Sequence, residues 1–191
     1  LSPAASAFAA SKPALSAKSK TLLLNEKART SYNFDVKNKV KGSTYKWTSS
    51  NTKVATVNSK NGVVTAKKIG KATIKLVITL KTKKLATLVA PVTVKENIKT
   101  LAIDNAPTKA IAVSGTYNFN IDYTTKTGHK TTDIVRFEIT KGNDAKVASI
   151  AKNGVFASTV AGEFEVTALA FQSEAKYAAY LKGDTTVVTA T

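Results

Sequence analysis

Several residue types that carry chemistry are absent or rare in this chain of 191 residues. Cysteine and methionine are missing, and His129 is the single histidine. The lack of cysteine excludes a disulfide framework, a thiolate nucleophile and a cysteine-ligated zinc site. No apolar run approaches the length that spans a membrane. We therefore predict a protein that is not an enzyme and that has no cofactor, no metal ion and no membrane span.

Acidic residues are scarce in the first half of the chain, and the net charge is correspondingly uneven. Residues 1–100 carry 20 Lys/Arg and 3 Asp/Glu, whereas residues 101–191 carry 9 of each, so the formal charge of +17 belongs to the first half. Arg29 and Arg136 are the only arginines, which leaves 27 lysines. Lysine is a hydrated point charge and lacks the planar fork that reads bases and phosphates. This composition favours diffuse attraction to a polyanion and argues against specific nucleic-acid recognition.

The stretch from Tyr45 to Thr79 has the two-residue period of β-strands. After Gly70, apolar residues alternate with polar ones, the apolar set being Ala72, Ile74, Leu76 and Ile78. One face of this strand is therefore expected to be buried and the other wet. The pair Asn61-Gly62 separates two short apolar segments and predicts a tight hairpin, because an Asn-Gly pair readily adopts positive φ. Tyr45 and Trp47 share one face and are expected to anchor a core.

A shorter version of this stretch returns about 90 residues later, as an internal repeat. It keeps Val147–Ile150, Asn153-Gly154 and Gly162, but has Phe137 where the first copy has Trp47. We predict an all-β protein of two tandem Ig-like β-sandwich domains, at residues 18–96 and 97–191. Aromatic residues predicted to anchor the two cores are Tyr32, Phe34, Tyr45, Trp47, Tyr117, Phe119, Phe137 and Phe164.

Four segments of the first copy resemble the bacterial immunoglobulin-like domain of group 2. They are Trp47–Asn51, Val54–Val57, Gly62–Ala66 and Gly70–Ile74. The resemblance covers residues 18–96 well and residues 97–191 more loosely. Domains of this family occur in tandem in intimin- and invasin-type adhesins and in S-layer proteins. The resemblance implies a β-sandwich on a cell surface, and it implies no catalytic residues.

The two ends of the chain carry separate expectations. Residues 1–17 are interpreted either as a signal-peptide remnant, because Ala7-Phe8-Ala9 has the small-x-small form, or as an extended N-terminal arm that docks along a sheet edge. Tyr177–Ala190 is expected to supply the last strands, with a turn at Gly183-Asp184. Pro91 cannot donate a hydrogen bond to a ladder and should lie on an edge or at a bulge.

Lysines form the strongest candidate site. Lys67, Lys68, Lys71 and Lys75 surround one strand, and Lys81, Lys83 and Lys84 follow in the next turn. At aligned positions the second copy has Glu163 and Glu165, which are expected on one face of a single strand. Three interpretations stay open: a solvated face that keeps sheets apart, a contact for anionic cell-wall polymer, or a complementary contact between subunits.

Other candidate sites are weaker. His129 lies in a polar loop, and a general base would need a nucleophile and an orienting carboxylate nearby. Asp104-Asn105 and Asn143-Asp144 contain oxygen ligands suited to calcium, but both pairs are also ordinary turn residues. The connection from Asp122 to Asp133 is long and is expected at the tip of a sandwich, where binding loops occur.

Taken together, these features predict a non-catalytic structural protein, secreted to the bacterial cell surface or cell wall. It would be a self-assembling S-layer or filament subunit, or a rigid spacer. The alternative is an adhesin or a cell-wall-polymer-binding module that uses the lysine-rich first domain. The expected partners are other copies of the chain or neighbouring domains of a longer one, with anionic wall polymer or a host glycan as further candidates.

Overall fold

The computed structural model describes residues 11–24 and 26–191. The described part of the chain consists of strands with one short α-helix and two 3₁₀ turns, so the predicted all-β class is confirmed. It divides into two compact parts, unit 1 (Leu1–Lys95) and unit 2 (Glu96–Thr191). The division falls where a strand from the first repeat gives way to the first strand of the second.

Unit 1 is a sandwich of two sheets. Its strands are β1 (Ala14–Leu15), β2 (Lys20–Leu23), β3 (Ser31–Asn33), β4 (Val36–Lys37), β5 (Ser43–Ser49), β6 (Ala55–Val57), β7 (Val63–Ala66), β8 (Gly70–Leu80) and β9 (Lys83–Lys95). One sheet has the order β2-β9-β8-β5, and only its β2–β9 pair is parallel. The facing strands pair as β3-β7-β6 and β1-β4, all antiparallel.

The core of unit 1 follows from the alternation along β8. Ala72, Ile74, Leu76 and Ile78 are at most 5% exposed, whereas Lys71 and Lys75 between them are solvent-exposed. Burying each large aliphatic side chain contributes about 1.5–3 kcal/mol. The opposite sheet contributes Phe34, whose ring stacks 6.3 Å from that of Trp47. The strand therefore has one apolar face because the sandwich needs it, as the sequence pattern predicts.

The Asn-Gly hairpin forms between β6 and β7, but five residues, 58–62, connect the two strands. Asn58 N–H donates to the Val63 carbonyl at 2.8 Å, and Gly62 N–H donates to the Asn58 carbonyl at 3.1 Å. Gly62 has φ +76°. A Cβ at Gly62 would lie 2.7 Å from both the Phe34 carbonyl oxygen and Cε2 of Trp47. Glycine is required here for close approach to the core as well as for the turn.

Pro91 lies where the ladder needs no donor from it. It is opposite Thr73 of β8, whose backbone N–H and C=O are bonded to Ser50 instead. On the other side of β9, β2 pairs only from Val92 onward. Pro91 thus sits at the end of an unpaired stretch of edge, as predicted.

Unit 2 repeats this plan, with shorter strands at the positions of β8 and β9 and with an added helix. Its elements are β10 (Ile98–Ile103), β11 (Thr116–Asn118), β12 (Ile121–Thr125), β13 (Ile134–Lys141), β14 (Ala148–Ile150), β15 (Val155–Ser158), β16 (Glu165–Phe171), α1 (Glu174–Leu181) and β17 (Val188–Ala190). The sheets are β13-β16-β17, β11-β15-β14 and β10-β12. Phe119, Phe137, Phe156 and Ala168 form the buried core.

The expectation that Tyr177–Ala190 supplies strands is wrong over most of its length. Residues Glu174–Leu181 form the helix α1, and a strand occurs only at Val188–Ala190. The Ser173 hydroxyl accepts a hydrogen bond from Lys176 N–H at the start of the helix. Gly183, at φ +101°, ends it. A polar cap, alanines inside and a glycine after the last turn are the local signals of a helix.

The segment interpreted as a signal remnant or an arm is described only in part. Residues 1–10 lie outside the described residues. Within residues 11–17, β1 pairs with β4, and Ser16 N–H donates to the Asp35 carbonyl at 2.8 Å. Leu15 and Ala17 pack against the core of unit 1.

Candidate functional site

The seven candidate lysines are all exposed, but they form two groups. Lys67, Lys68, Lys71 and Lys75 lie before and along the first half of β8, whereas Lys81, Lys83 and Lys84 surround the turn from β8 to β9. At about 3.3 Å per residue, Lys71 and Lys81 are separated by about 33 Å. The first four lysines therefore form a strip along the sheet, which we call the lysine strip. The other three form a second cluster at the end of β8.

The strip lies on the outer face of the β2-β9-β8-β5 sheet. Lys75 is flanked by Thr48 of β5 and Val89 of β9 in register. Lys46 of β5 lies opposite Val77, which places it diagonally from Lys75. The face therefore combines ammonium groups with threonine hydroxyls and valine methyl groups. It contains no carboxylate.

Unit 1 has almost no negative charge with which to neutralise these lysines. Residues 1–95 carry 19 Lys/Arg and 2 Asp/Glu, a net charge of +17. The Asp35 carboxylate accepts from Lys39 Nζ at 2.8 Å, and this hydrogen bond lowers the pKa of Asp35. Glu26 lies 3.6 Å from the Arg29 guanidinium. Both acidic groups of the unit thus contact cations outside the strip.

The two glutamates of unit 2 do not share one strand, contrary to expectation. Glu165 begins β16, whereas Glu163 precedes it. The Glu165 carboxylate accepts from Lys141 Nζ at 2.8 Å and from Thr140 Oγ1 at 3.0 Å, and the bond from Lys141 is the main cause of its lowered pKa. The charge of Glu165 is therefore compensated within unit 2.

Corresponding positions in the two units do carry opposite charge. Trp47 pairs with Leu76 in unit 1, and Phe137 pairs with Ala168 in unit 2. Counting back from these pairs, Lys71 corresponds to Glu163. Glu163 is exposed and precedes β16, whereas Glu165 is paired with Lys141.

The loop between β12 and β13 is organised around a buried carboxylate. Glu96 is fully buried, and its oxygens accept from Thr127 N–H at 2.8 Å and from Thr127 Oγ1. Its backbone carbonyl accepts from the hydroxyls of Thr131 and Thr132 at 2.9 and 3.0 Å. The hydroxyl groups of Thr127, Thr131 and Thr132 in this candidate binding loop therefore donate their hydrogen bonds to Glu96.

His129 belongs to the same network, which sequence spacing could not reveal. Its Nδ1 lies 3.0 Å from Thr127 Oγ1. A catalytic triad places the imidazole between carboxylate and hydroxyl, so that the hydroxyl loses its proton to the ring. Here the hydroxyl lies between Glu96 and the ring, and its proton is committed to Glu96. The arrangement fixes the loop and does not activate Thr127.

The two asparagines among the candidate calcium residues, Asn105 and Asn143, hydrogen-bond to backbone groups of the protein. Asn105 Oδ1 accepts from Asn120 N–H at 2.6 Å, and its Nδ2 donates to the Asn118 carbonyl. Asn143 makes a comparable pair of bonds with the backbone of Ala148. No cluster of three or more His, Cys, Asp or Glu side chains suited to a metal occurs among residues 11–24 and 26–191.

A half-open pocket of about 260 Å³ in unit 2 has no counterpart in the sequence predictions. Its lining includes Phe119, Phe156 and Phe164 together with Ile111 and Val166. Val113 and Val160 at its lining are exposed. The apolar run around Ile111 was the available signal, but it lies in a segment without strand periodicity.

The predicted aromatic anchors lie in or against the two cores. Phe34, Trp47, Phe119 and Phe137 are at most 8% exposed. The others are partly buried and pack against the core of their own unit: Tyr32, Tyr45, Tyr117 and Phe164.

Comparison with solved structures aligns this chain, at low sequence identity, with protocadherin and S-layer protein chains. Human protocadherin-24 EC1-2 aligns over 82% of this chain and 85% of its own at 15% identity, with a TM-score of 0.36. Domains 4 and 5 of the S-layer protein SbsC align over 85% of this chain and 94% of theirs at 19% identity, with a TM-score of 0.34. Extracellular cadherin domains 3–6 of protocadherin gamma B2 align over 82% of this chain and 47% of that one, at 13% identity and a TM-score of 0.42.

The sequence itself matches one family model. No curated protein matches the chain. None of the helices in the described part is both long and apolar enough to cross a bilayer. Residues 13–87 match the bacterial Ig-like domain of group 2, from just before β1 into the middle of β9. This match lies within unit 1 and confirms the resemblance to the bacterial Ig-like domain of group 2 that the motifs around Trp47 predict.

Proposed function

We propose that this chain is a structural module of a bacterial surface protein that acts by rigid presentation and self-association. The observation that carries the proposal is the match of residues 13–87 to the bacterial Ig-like family, which supports a surface structural or adhesion-type module. The sandwich cores of both units agree with such a role, because packed aromatic rings hold the sheets in one arrangement. Neither the His129 network nor the turn asparagines offer an arrangement for catalysis.

Self-association of the full chain is tested by sedimentation velocity over a wide range of protein concentration. We expect the mean sedimentation coefficient to rise with concentration. Surface location is tested separately, by protease treatment of intact cells followed by detection of the chain with an antibody. A chain that stays monomeric throughout, or that resists protease until the cells are lysed, would contradict the corresponding part of the proposal.

A second candidate function is binding of an anionic cell-wall polymer by unit 1. The observation that favours it is the net charge of +17 on residues 1–95, whose two carboxylates face cations outside the lysine strip. Lysine-dominated binding releases counterions, so the affinity should fall steeply as salt is added. We expect isothermal titration of the full chain with purified wall polymer to give this dependence. Affinity that does not change with salt would exclude the lysines as the binding groups.

A further inference from the structure

One side of β9 forms an edge of the β2-β9-β8-β5 sheet over most of the strand. This strand pairs along its length with β8, but its other side pairs with β2 only at Val92–Lys95. Among the described residues, no strand pairs with that side from Lys83 to Pro91. β1 approaches β9 from the opposite sheet, where it is paired with β4. Unit 1 thus presents an open edge, which we define as residues 83–91.

The direction of the backbone groups along this edge follows from the ladder. Thr73 bonds to Ser50, so its backbone groups point away from β9, and the Thr73–Pro91 pair is not hydrogen-bonded. Antiparallel ladders alternate between bonded and non-bonded pairs. Val89 and Thr87, two and four residues before Pro91, therefore direct their N–H and C=O groups outward. These groups are available to another strand.

The composition of the open edge is unusual for an unpaired strand. Natural sheets protect edges with short strands, lysines, prolines or bulges. Here Lys83, Lys84 and Pro91 stand at the two ends, and a bulge occurs near Leu85. The six residues between Lys84 and Pro91 carry no charge, and Leu85 and Val89 among them are 41% and 57% exposed. In unit 2 the last strand, β17, has only three residues.

We propose that a second copy of this chain pairs with the open edge, antiparallel to it, about a two-fold axis near Thr87. This inference rests on the proposed self-association and assigns the surface that mediates it. In this register Thr87 of one copy lies opposite Thr87 of the other, and Leu85 of each copy lies opposite Val89 of the other. The outward backbone groups of both strands then bond across the axis, and the two exposed apolar side chains cover each other. Each Lys83 lies opposite Pro91 of the other copy and not opposite a lysine.

The net charge of unit 1 predicts how this association depends on salt. Two units of charge +17 repel one another, and salt screens that repulsion because the Debye length shortens from about 10 Å at 0.1 M to about 3 Å at 1 M. The association should therefore strengthen as salt is added. Binding to a polyanion has the opposite dependence, so the two kinds of contact are separable by one titration.

The decisive variants are Thr87→Pro and its control Thr87→Ala. The Thr87 N–H faces outward, so proline removes no bond to β8, and Pro91 already occupies the same phase of the strand. Thr87→Pro removes the two central bonds of the proposed pair, whereas Thr87→Ala keeps both. In sedimentation velocity at elevated salt we expect Thr87→Pro to weaken association by about tenfold or more, and Thr87→Ala to change it by less than about threefold.

A second pair of variants tests the exposed apolar side chains. Both variants change the net charge by the same amount. Val89→Lys and Thr48→Lys each add one lysine to the outer face, on either side of Lys75. Only Val89 belongs to the open edge. We expect Val89→Lys to weaken association and Thr48→Lys to leave it near that of the unmodified chain. Circular dichroism of each variant confirms that the sheets are intact.

The outcomes separate this inference from the proposed function. Association that strengthens with salt and is lost in Thr87→Pro and Val89→Lys supports the edge contact. Association that is insensitive to both variants overturns the edge contact and leaves self-association standing. A chain that is monomeric at every salt concentration overturns both. A monomer that binds polyglutamate, with the binding lost in Thr87→Pro, shows that the edge takes an acidic strand and overturns the second copy as its occupant.

Discussion

Gly62 and Gly154 occupy the same structural position in the two units, beneath an aromatic ring and against a carbonyl. At Gly154 a Cβ would lie 2.6 Å from the Phe119 carbonyl oxygen and 3.0 Å from the Phe137 ring, which repeats the surroundings of Gly62. Phe119 N–H donates to the Gly154 carbonyl at 2.9 Å, as Phe34 N–H does to Gly62 at 3.2 Å. The repeat therefore preserves a three-residue contact, even though its ring changes from Trp to Phe.

Gly62→Ala should destabilise the protein more than Gly42→Ala does. The two glycines have φ of +76° and +77°, but a Cβ at Gly42 would meet only Leu80 Cδ1, at 3.7 Å. In both variants alanine must adopt a left-handed backbone conformation, which costs about 1–2 kcal/mol of stability. Gly62→Ala adds overpacking against backbone and ring, about 1–3 kcal/mol more. Urea denaturation followed by circular dichroism measures the difference, and equal losses for both variants would contradict the steric explanation.

The Lys141–Glu165 pair gives a prediction for acid pH. Its hydrogen bond lowers the pKa of Glu165 in the folded protein below the usual value of 4.5. A lowered folded-state pKa contributes stability above the unfolded value, and this contribution is lost as the pH falls through the folded value. Lys141→Met should therefore raise the pKa of Glu165, while Lys141→Arg keeps it low. Carboxyl carbon chemical shifts followed by NMR measure it, and an unchanged value in Lys141→Met would rule out the pair as the cause.

At the scale of the element, the sequence pattern predicts β8, whereas for α1 it offers only the short end signals at Ser173 and Gly183. The alternation over Lys71–Leu76, which only Val77 then interrupts before Ile78, predicts the buried face of a strand without reference to its neighbours. The helix has eight residues, which is too short for a periodic apolar stripe to stand out. A different signal was present in β16, where Ala168–Phe171 are all apolar. A strand buried on both faces needs a covering layer outside the sandwich.

The helix α1 supplies that layer over the outer face of β16. Tyr177 and Tyr180 lie 5.2 and 5.3 Å from the Phe171 ring. The Tyr180 hydroxyl donates to Glu138 of β13 at 2.9 Å, and Arg136 pairs with Glu174. These partners come from distant parts of the chain, so the location of the helix could not be read from local sequence.

Ser173→Ala should weaken α1 and its packing on Phe171. The Ser173 hydroxyl satisfies the backbone N–H of Lys176, and loss of such a cap costs about 0.5–2 kcal/mol. Ser173→Asp keeps an acceptor at this position and should remain close to the unmodified protein. Hydrogen exchange of the α1 amides measures local opening. If both variants protect the helix equally, the cap makes no contribution.

At the scale of the whole molecule, the repeat predicts the domain plan, whereas the sequence does not predict how the surface is used. The spacing between Trp47 and Phe137 predicts two sandwiches because each carries a complete set of core strands. The open edge depends on how far β2 extends along β9, and the pairing of the Glu165 carboxylate depends on its distance from Lys141. Both are tertiary facts that residue types alone do not determine.

Attraction to a polyanion should depend on how many lysines are present more than on where they lie. We compare two triple variants of equal charge change, one on the strip (Lys67, Lys68 and Lys71 to Gln) and one at the turn (Lys81, Lys83 and Lys84 to Gln). Lysine binds phosphate as a point charge, so both sets should weaken binding to polyphosphate to a similar degree and reduce its salt slope similarly. Titration calorimetry at several salt concentrations measures this. A loss confined to the strip variant would instead indicate a localised site.

The enclosure of Trp47 has a practical consequence for studying the chain. It is the only indole in the protein, it is 3% exposed, and it lies within unit 1. Excitation at the red edge of protein absorbance therefore produces emission from the first repeat alone, while the tyrosines and phenylalanines of the second stay dark. If unit 1 unfolds in part and water reaches Trp47, that emission will move to longer wavelength. Trp47 therefore reports on the packing of unit 1 without an added label.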